Sequence, residues 1–66
     1  MLKHNGKTYS QADLLRIGNN VASGWGATCH AFTFNKAAGT VNFECNECGE
    51  FFVTSIEFSD IGEYDY

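Results

Sequence analysis

The chain contains no proline, a single tryptophan, and only four cationic residues among 66. Without proline no turn is set by ring closure, so the seven glycines must supply the turn chemistry. No apolar run approaches the roughly 20 residues of a membrane span. The opening "MLKHNGKTYS" lacks the apolar core of a signal peptide. The cysteines number three, and an odd count does not suit a secreted disulfide framework. These absences point to a cytoplasmic chain with reduced thiols. Catalytic signatures are missing too. There is no glycine-rich phosphate loop between a strand and a helix, the carboxylates are not paired across a cleft, and only two histidines titrate near neutrality when unperturbed. The expectation is a protein that is not an enzyme.

What is present is small and electrically lopsided. At this length residues 1–66 make one domain, which buries only about 60% of the surface its unfolded chain exposes. Such domains often add a disulfide, a metal or a partner. Residues 1–36 hold Lys3, Lys7, Arg16 and Lys36 against Asp13, a balance of +3. Residues 37–66 hold Glu44, Glu47, Glu50, Glu57, Asp60, Glu63 and Asp65 with no cation, a balance of −7. Asymmetry of this kind bears on partners and solubility, not on fold.

The hydrophobic pattern predicts an α+β fold. "LKHNGKTY" reads as an N-terminal hairpin, because Asn5-Gly6 is the preferred two-residue type I′ turn. In "SQADLLRIGNNVA", Ser10 and Asp13 resemble a capping box, and Leu14, Ile17 and Val21 fall at helical spacing. The expected helix covers residues 10–17, with an extension to 22 opposed by Gly18-Asn19-Asn20. "SGWGATC" reads as a loop, with Trp25 either a buried lid over the sheet or an exposed binding anchor, buried packing being the commoner outcome for a lone tryptophan in so small a domain. The period then changes to two: "HAFTFN", "TVNFEC" and "FFVTSIEF" read as three strands of an antiparallel meander. Phe32, Phe34, Val41, Phe43, Phe52 and Ile56 take one face, and Phe51 and Val53 the other. Pairing Phe34 with Val41 and Phe32 with Phe43 keeps the apolar residues together, and a one-residue slip would scatter them. The same register sets His30 opposite Cys45. The acidic, aromatic "SDIGEYDY" reads as a loose tail.

That register brings the "CH" at 29 and 30 to the same sheet edge as "CNECG". Cys45-x-x-Cys48 followed by Gly49 resembles a zinc-ribbon knuckle, and "CNECGEFF" looks like one half of a zinc ribbon. A full ribbon carries a second CxxC, whereas this chain offers Cys29, His30 and His4. The resemblance implies one zinc ion held by Cys45, Cys48, Cys29 and His30, with His4 as the substitute histidine. A thioredoxin-like redox pair is the poorer reading, since a strand rather than a helix follows the motif. The remaining reading is that the cysteines are small buried side chains.

Two functional classes follow. In the first, the acidic half binds a basic surface on a protein partner. Carboxylates would supply steering and aromatic residues would supply anchors, with Glu50, Glu57, Asp60, Glu63, Tyr64 and Tyr66 as the contact residues. In composition the chain resembles small acidic proteins of phages and mobile elements, which implies an inhibitor acting by nucleic-acid charge mimicry. In the second, a ribbon-like module binds nucleic acid through Lys3, Lys7, Arg16 and Lys36. Four cations in a net-acidic chain form a weak footprint for phosphate, so protein binding is the expected class.

Overall fold

A computed structural model describes residues 2–4 and 6–66. The order is β1 (Leu2–His4), β2 (Lys7–Tyr9), α1 (Gln11–Ala22), a 3₁₀ turn (Ser23–Trp25), β3 (Thr28–Asn35), β4 (Thr40–Glu47), β5 (Glu50–Glu57) and a 3₁₀ helix (Phe58–Tyr64). β1 and β2 form one antiparallel pair, and β3-β4-β5 form a three-stranded meander in chain order. This is the α+β architecture that the pattern predicts. The hairpin closes with His4 opposite Lys7, and Gly6 has φ +77°. The type I′ expectation for Asn5 lies outside the described residues.

The helix starts where its cap dictates. The Asp13 amide donates to Ser10 Oγ at 3.1 Å, and the Ser10 amide donates to Asp13 Oδ2 at 3.0 Å, which closes the capping box. The helix then runs to Ala22, through the Gly-Asn-Asn segment that local propensity opposes. Each of these three residues has a tertiary task. Gly18 is buried against the sheet, where a Cβ would lie 2.5 Å from Cys29 Sγ and 2.6 Å from Phe43 Cδ1. Asn19 accepts the Cys29 amide at 2.8 Å, and Asn20 donates to the carbonyls of Tyr64 at 2.7 Å and Tyr66 at 3.2 Å. Packing on the sheet and the tail overrides the weak propensity.

Leu14, Ile17, Val21 and Ala22 of α1 pack with Val41, Phe43 and Cys45 of β4, closed off by Tyr9, Ala27, Cys29 and Ile61. Fully burying a side chain such as Leu14, Ile17, Val41 or Phe43 contributes roughly 1.5–3 kcal/mol. Leu2, Phe32, Phe34, Phe58 and Tyr64 are partly buried against this cluster. The helix lies chiefly over β3 and reaches β4 at Phe43. Phe52, Thr54 and Ile56, which face inward on β5, therefore remain only half-buried. Trp25 is no lid: it is 53% exposed and meets Phe52 edge-on, with ring centroids 5.8 Å apart.

The expected register holds along most of the sheet, with Phe32 opposite Phe43 and Phe34 opposite Val41. It fails at one residue. A bulge between Cys29 and Ala31 lifts His30 out of register, so Cys29 rather than His30 stands opposite Cys45. The tail is also firmer than its composition suggests. Asp65 pairs with Lys7 and with Arg16, the latter at 2.7 Å, and Arg16 also donates to the Tyr66 main-chain oxygen at 2.9 Å. Among the described residues no helix is long and apolar enough to cross a membrane.

Candidate functional site

The "CNECG" stretch is the end of one strand and a hairpin turn. β4 continues to Glu47 and β5 begins at Glu50, leaving Cys48 and Gly49 as the two-residue connection. Both have positive φ, 51° and 87°, as a type I′ turn requires, and the Gly49 amide donates to Asn46 Oδ1 at 2.9 Å. A knuckle would turn both thiols toward one ion. Here the alternation of β4 sends Cys45 into the core, fully buried, while Cys48 sits exposed at the tip.

The four expected zinc ligands consequently occupy three places. Cys29 and Cys45 meet inside, as opposed residues on β3 and β4. His30 projects from the bulge onto the other face, where its ring stands edge-on to Phe51 at 5.9 Å. Cys48 lies at the hairpin tip. The alternative donor, His4, packs on the ring of Phe58, and its Nε2 is buried with no hydrogen-bond partner among the described residues. No three His, Cys, Asp or Glu side chains converge as a metal-binding group among the described residues. As folded, this donor set does not fit one tetrahedral ion. Burial pushes the Cys29 and Cys45 thiols above their ordinary pKa, which keeps both protonated near neutral pH. Their Sγ–H groups point at main-chain oxygens of Ala31 and Phe43. They behave as small core side chains.

The expected contact residues are likewise divided. Glu50 and Glu57 are exposed but stand at opposite ends of β5, roughly 20 Å apart at strand rise. Asp60 and Glu63 belong to the C-terminal 3₁₀ helix. Tyr64 packs partly against the core, whereas Tyr66 is 74% exposed. The hydrogen bonds from Asn20 and Arg16 hold this tail on the helix side of the sheet.

Among the described residues nothing covers the opposite sheet face. It presents His30, Ala31 and Thr33 from β3, Asn42, Glu44 and Asn46 from β4, and Phe51, Val53, Ser55 and Glu57 from β5, by the alternation of the registered pairs. Phe51 is 75% exposed and Val53 64%. With His30, Glu44, Cys45 and Phe52 they line a shallow cleft of about 230 Å³. Its floor is β4, and His30 and Phe51 meet across it. The sequence carries a signal for this patch: "FFV" breaks the polar half of the alternation, which leaves two large apolar residues on the face opposite the core.

Electrostatics divide along the same line. On the helix side, Lys7 and Arg16 are taken up by Asp65 and Asp13. Their hydrogen bonds hold the Asp65 carboxyl below its ordinary pKa, Lys7 having the larger effect, while bonds from the Ser10 amide and hydroxyl do the same for Asp13. The three strands of the sheet contain Glu44, Glu47, Glu50 and Glu57 and no lysine or arginine. Glu47 and Glu50 are directly opposed across the hairpin, a like-charge arrangement that costs stability.

Comparison with protein-family models, with curated proteins and with solved structures gives no match.

Proposed function

We propose that the protein is a non-catalytic interaction module that docks, through its uncovered sheet face, onto a basic surface of a partner protein. One observation carries this reading. The exposed apolar pair Phe51 and Val53 shares its sheet face with Glu44 and Glu57, and the three strands, which also carry Glu47 and Glu50 beside the hairpin turn, hold no lysine or arginine. Exposed aromatic and aliphatic groups supply desolvated contact at the centre of an interface, and a ring of like charges steers an oppositely charged partner. In this reading the contact residues are Glu44, Glu57, Phe51, Val53 and His30, while Glu50, at the hairpin tip, takes the inward phase of Phe52, Thr54 and Ile56. Tyr66 and the remaining tail acids belong to the other side. The same composition suits an inhibitor that occupies a nucleic-acid-binding groove by presenting carboxylates where phosphates would lie.

Binding of nucleic acid by this chain has less behind it. Two of the four cations are engaged with carboxylates, and the other two stand apart in the fold, Lys3 on β1 and Lys36 in the turn between β3 and β4. Titration at low salt against lysozyme, as a folded basic protein, and against duplex DNA separates the classes. Lysozyme binding that weakens with salt and is abolished by Glu44→Lys with Glu57→Lys supports the proposal. Tight DNA binding that depends on Lys3 and Lys36 would replace it.

A further inference from the structure

The geometry points to the free edge of β5 as a docking strand: it accepts an extended, cationic segment of a partner protein as a fourth strand of the sheet. This rests on the acidic-docking reading above and specifies how the partner engages.

The backbone groups of β5 alternate in direction along the strand. Glu47 and Glu50 flank a two-residue connection, so they form the closing hydrogen-bonded pair of the hairpin. Hydrogen-bonded pairs then recur at every second position: Cys45 with Phe52, Phe43 with Thr54, and Val41 with Ile56. The Phe58 amide, bonded to the Gly39 carbonyl at 2.9 Å, continues the same phase. The amides and carbonyls of Phe51, Val53, Ser55 and Glu57 must therefore point away from β4. Among the described residues no other segment bonds to them.

An edge of this kind is normally blunted by a bulge, a proline, an inward charge or a lysine. β5 has no bulge, since its register with β4 is unbroken over eight pairs. It has no proline and no lysine, and its one charge at an inward position, Glu50, stands at the strand's first residue beside the hairpin turn. The other edge of the sheet differs: β3 is interrupted at His30, and its Cys29 amide is already taken by Asn19. β5 is also only half covered on its inner side, so an added strand gains apolar contact with Phe52 and Ile56 on one face and with Phe51 and Val53 on the other.

Charge selects the occupant. Two copies joined edge to edge would bring together two sheets with four carboxylates each and no lysine or arginine in their strands, so a second copy is disfavoured. A strand alternating apolar residues with lysine or arginine meets both requirements, with main-chain bonds for affinity and side chains for selection.

The test uses the full chain and three short peptides, one alternating lysine with valine, one with glutamate in place of lysine, and one with threonine in place of lysine. Chemical shifts and amide exchange are followed residue by residue. The lysine peptide is expected to bind and to slow exchange of the Phe51, Val53 and Ser55 amides, while the glutamate peptide does not bind. Ser55→Pro removes one outward amide without touching a bond to β4, and should weaken binding about tenfold or more. If that variant does not fold, the exchange pattern of the wild-type complex decides the matter. Binding of the lysine peptide without protection of those three amides overturns strand addition and leaves acidic docking standing. Protection of the edge by the lysine and threonine peptides with equal affinity removes the charge selection, and acidic docking fails with it. Protection of the edge in the absence of any peptide, with dimerisation, makes a second copy the occupant and overturns the proposal.

Discussion

An alanine at position 18 is expected to destabilise the protein, although alanine is the better helix former. The Cβ would lie 2.5 Å from Cys29 Sγ and 2.6 Å from Phe43 Cδ1, with Phe43 Cε1 at 3.0 Å. Phe43 is fully buried and Cys29 nearly so, which leaves neither much room to move. Overpacking of a close-fitted core costs typically 1–3 kcal/mol, and two contacts this short place Gly18→Ala in the upper part of that range. The gain in helix propensity returns about 1 kcal/mol. The net loss is about 1–2 kcal/mol, a fall in Tm of roughly 5–15 °C for a domain of this size. Gly24, which has nothing within 4 Å of an added Cβ, is the control and should change by less than about 0.5 kcal/mol as alanine. Adding Cys29→Ala removes one of the two obstructing groups, so the double variant should show a favourable coupling of at least about 0.5 kcal/mol. Chemical denaturation of five proteins, the wild type, the three single variants Gly18→Ala, Gly24→Ala and Cys29→Ala, and the double variant, reads all of this. A Gly18→Ala protein as stable as wild type, or more so, would falsify the close approach of helix to sheet.

Other perturbations have equally definite outcomes. Cys48→Asn places the residue favoured for positive φ ahead of Gly49 and should raise the denaturation midpoint, by a gain of roughly 0.5–1 kcal/mol; no gain would argue against the type I′ turn. Asp65 is held ionised below its ordinary 3.8 by Lys7 and Arg16, so its contribution is complete above that value and drains away as pH falls through the lowered one. Asp65→Asn should therefore lower stability at neutral pH and flatten the acid limb of the stability curve, and a limb of unchanged slope would count against the tail ion pairs. Tyr64→Ala should destabilise while Tyr66→Ala leaves the melting temperature unchanged, because only Tyr64 is packed on the core. Equal effects would contradict the placement of the tail.

How far the sequence reveals this fold depends on the range of the interaction. The strand register is legible because alternation leaves one pairing of "HAFTFN" with "TVNFEC" that keeps the phenylalanines on one face. The cap at Ser10 is legible because it is local. The extension of α1 past Ile17 is not: glycine and two asparagines argue against a helix, and what maintains it is Gly18 fitting against Phe43 and Asn19 taking an amide ten residues away. The His30 bulge leaves no mark on the pattern, because one inserted residue in "TCHAF" still reads as alternation. The CxxC segment is legible only in part. Its spacing suits a knuckle, but Glu47 and Glu50 extend the strands and leave only Cys-Gly for the turn. Asp65 meets Lys7 and Arg16 across 58 and 49 residues, a distance no local reading spans. The exposed apolar patch is legible by half: Phe51 and Val53 are assignable to the outer face from the sequence, but that this face stays bare requires knowing where the helix rests.

The most direct test of the account is a residue-by-residue chemical-shift map of the protein titrated with lysozyme at low and at high salt. At low salt the shifts should centre on Glu44, Phe51, Val53 and Glu57, and they should shrink as added salt shortens the Debye length below about 10 Å. Shifts centred on Tyr66, Glu63 and the helix, or shifts on the sheet face that are indifferent to salt, would contradict it.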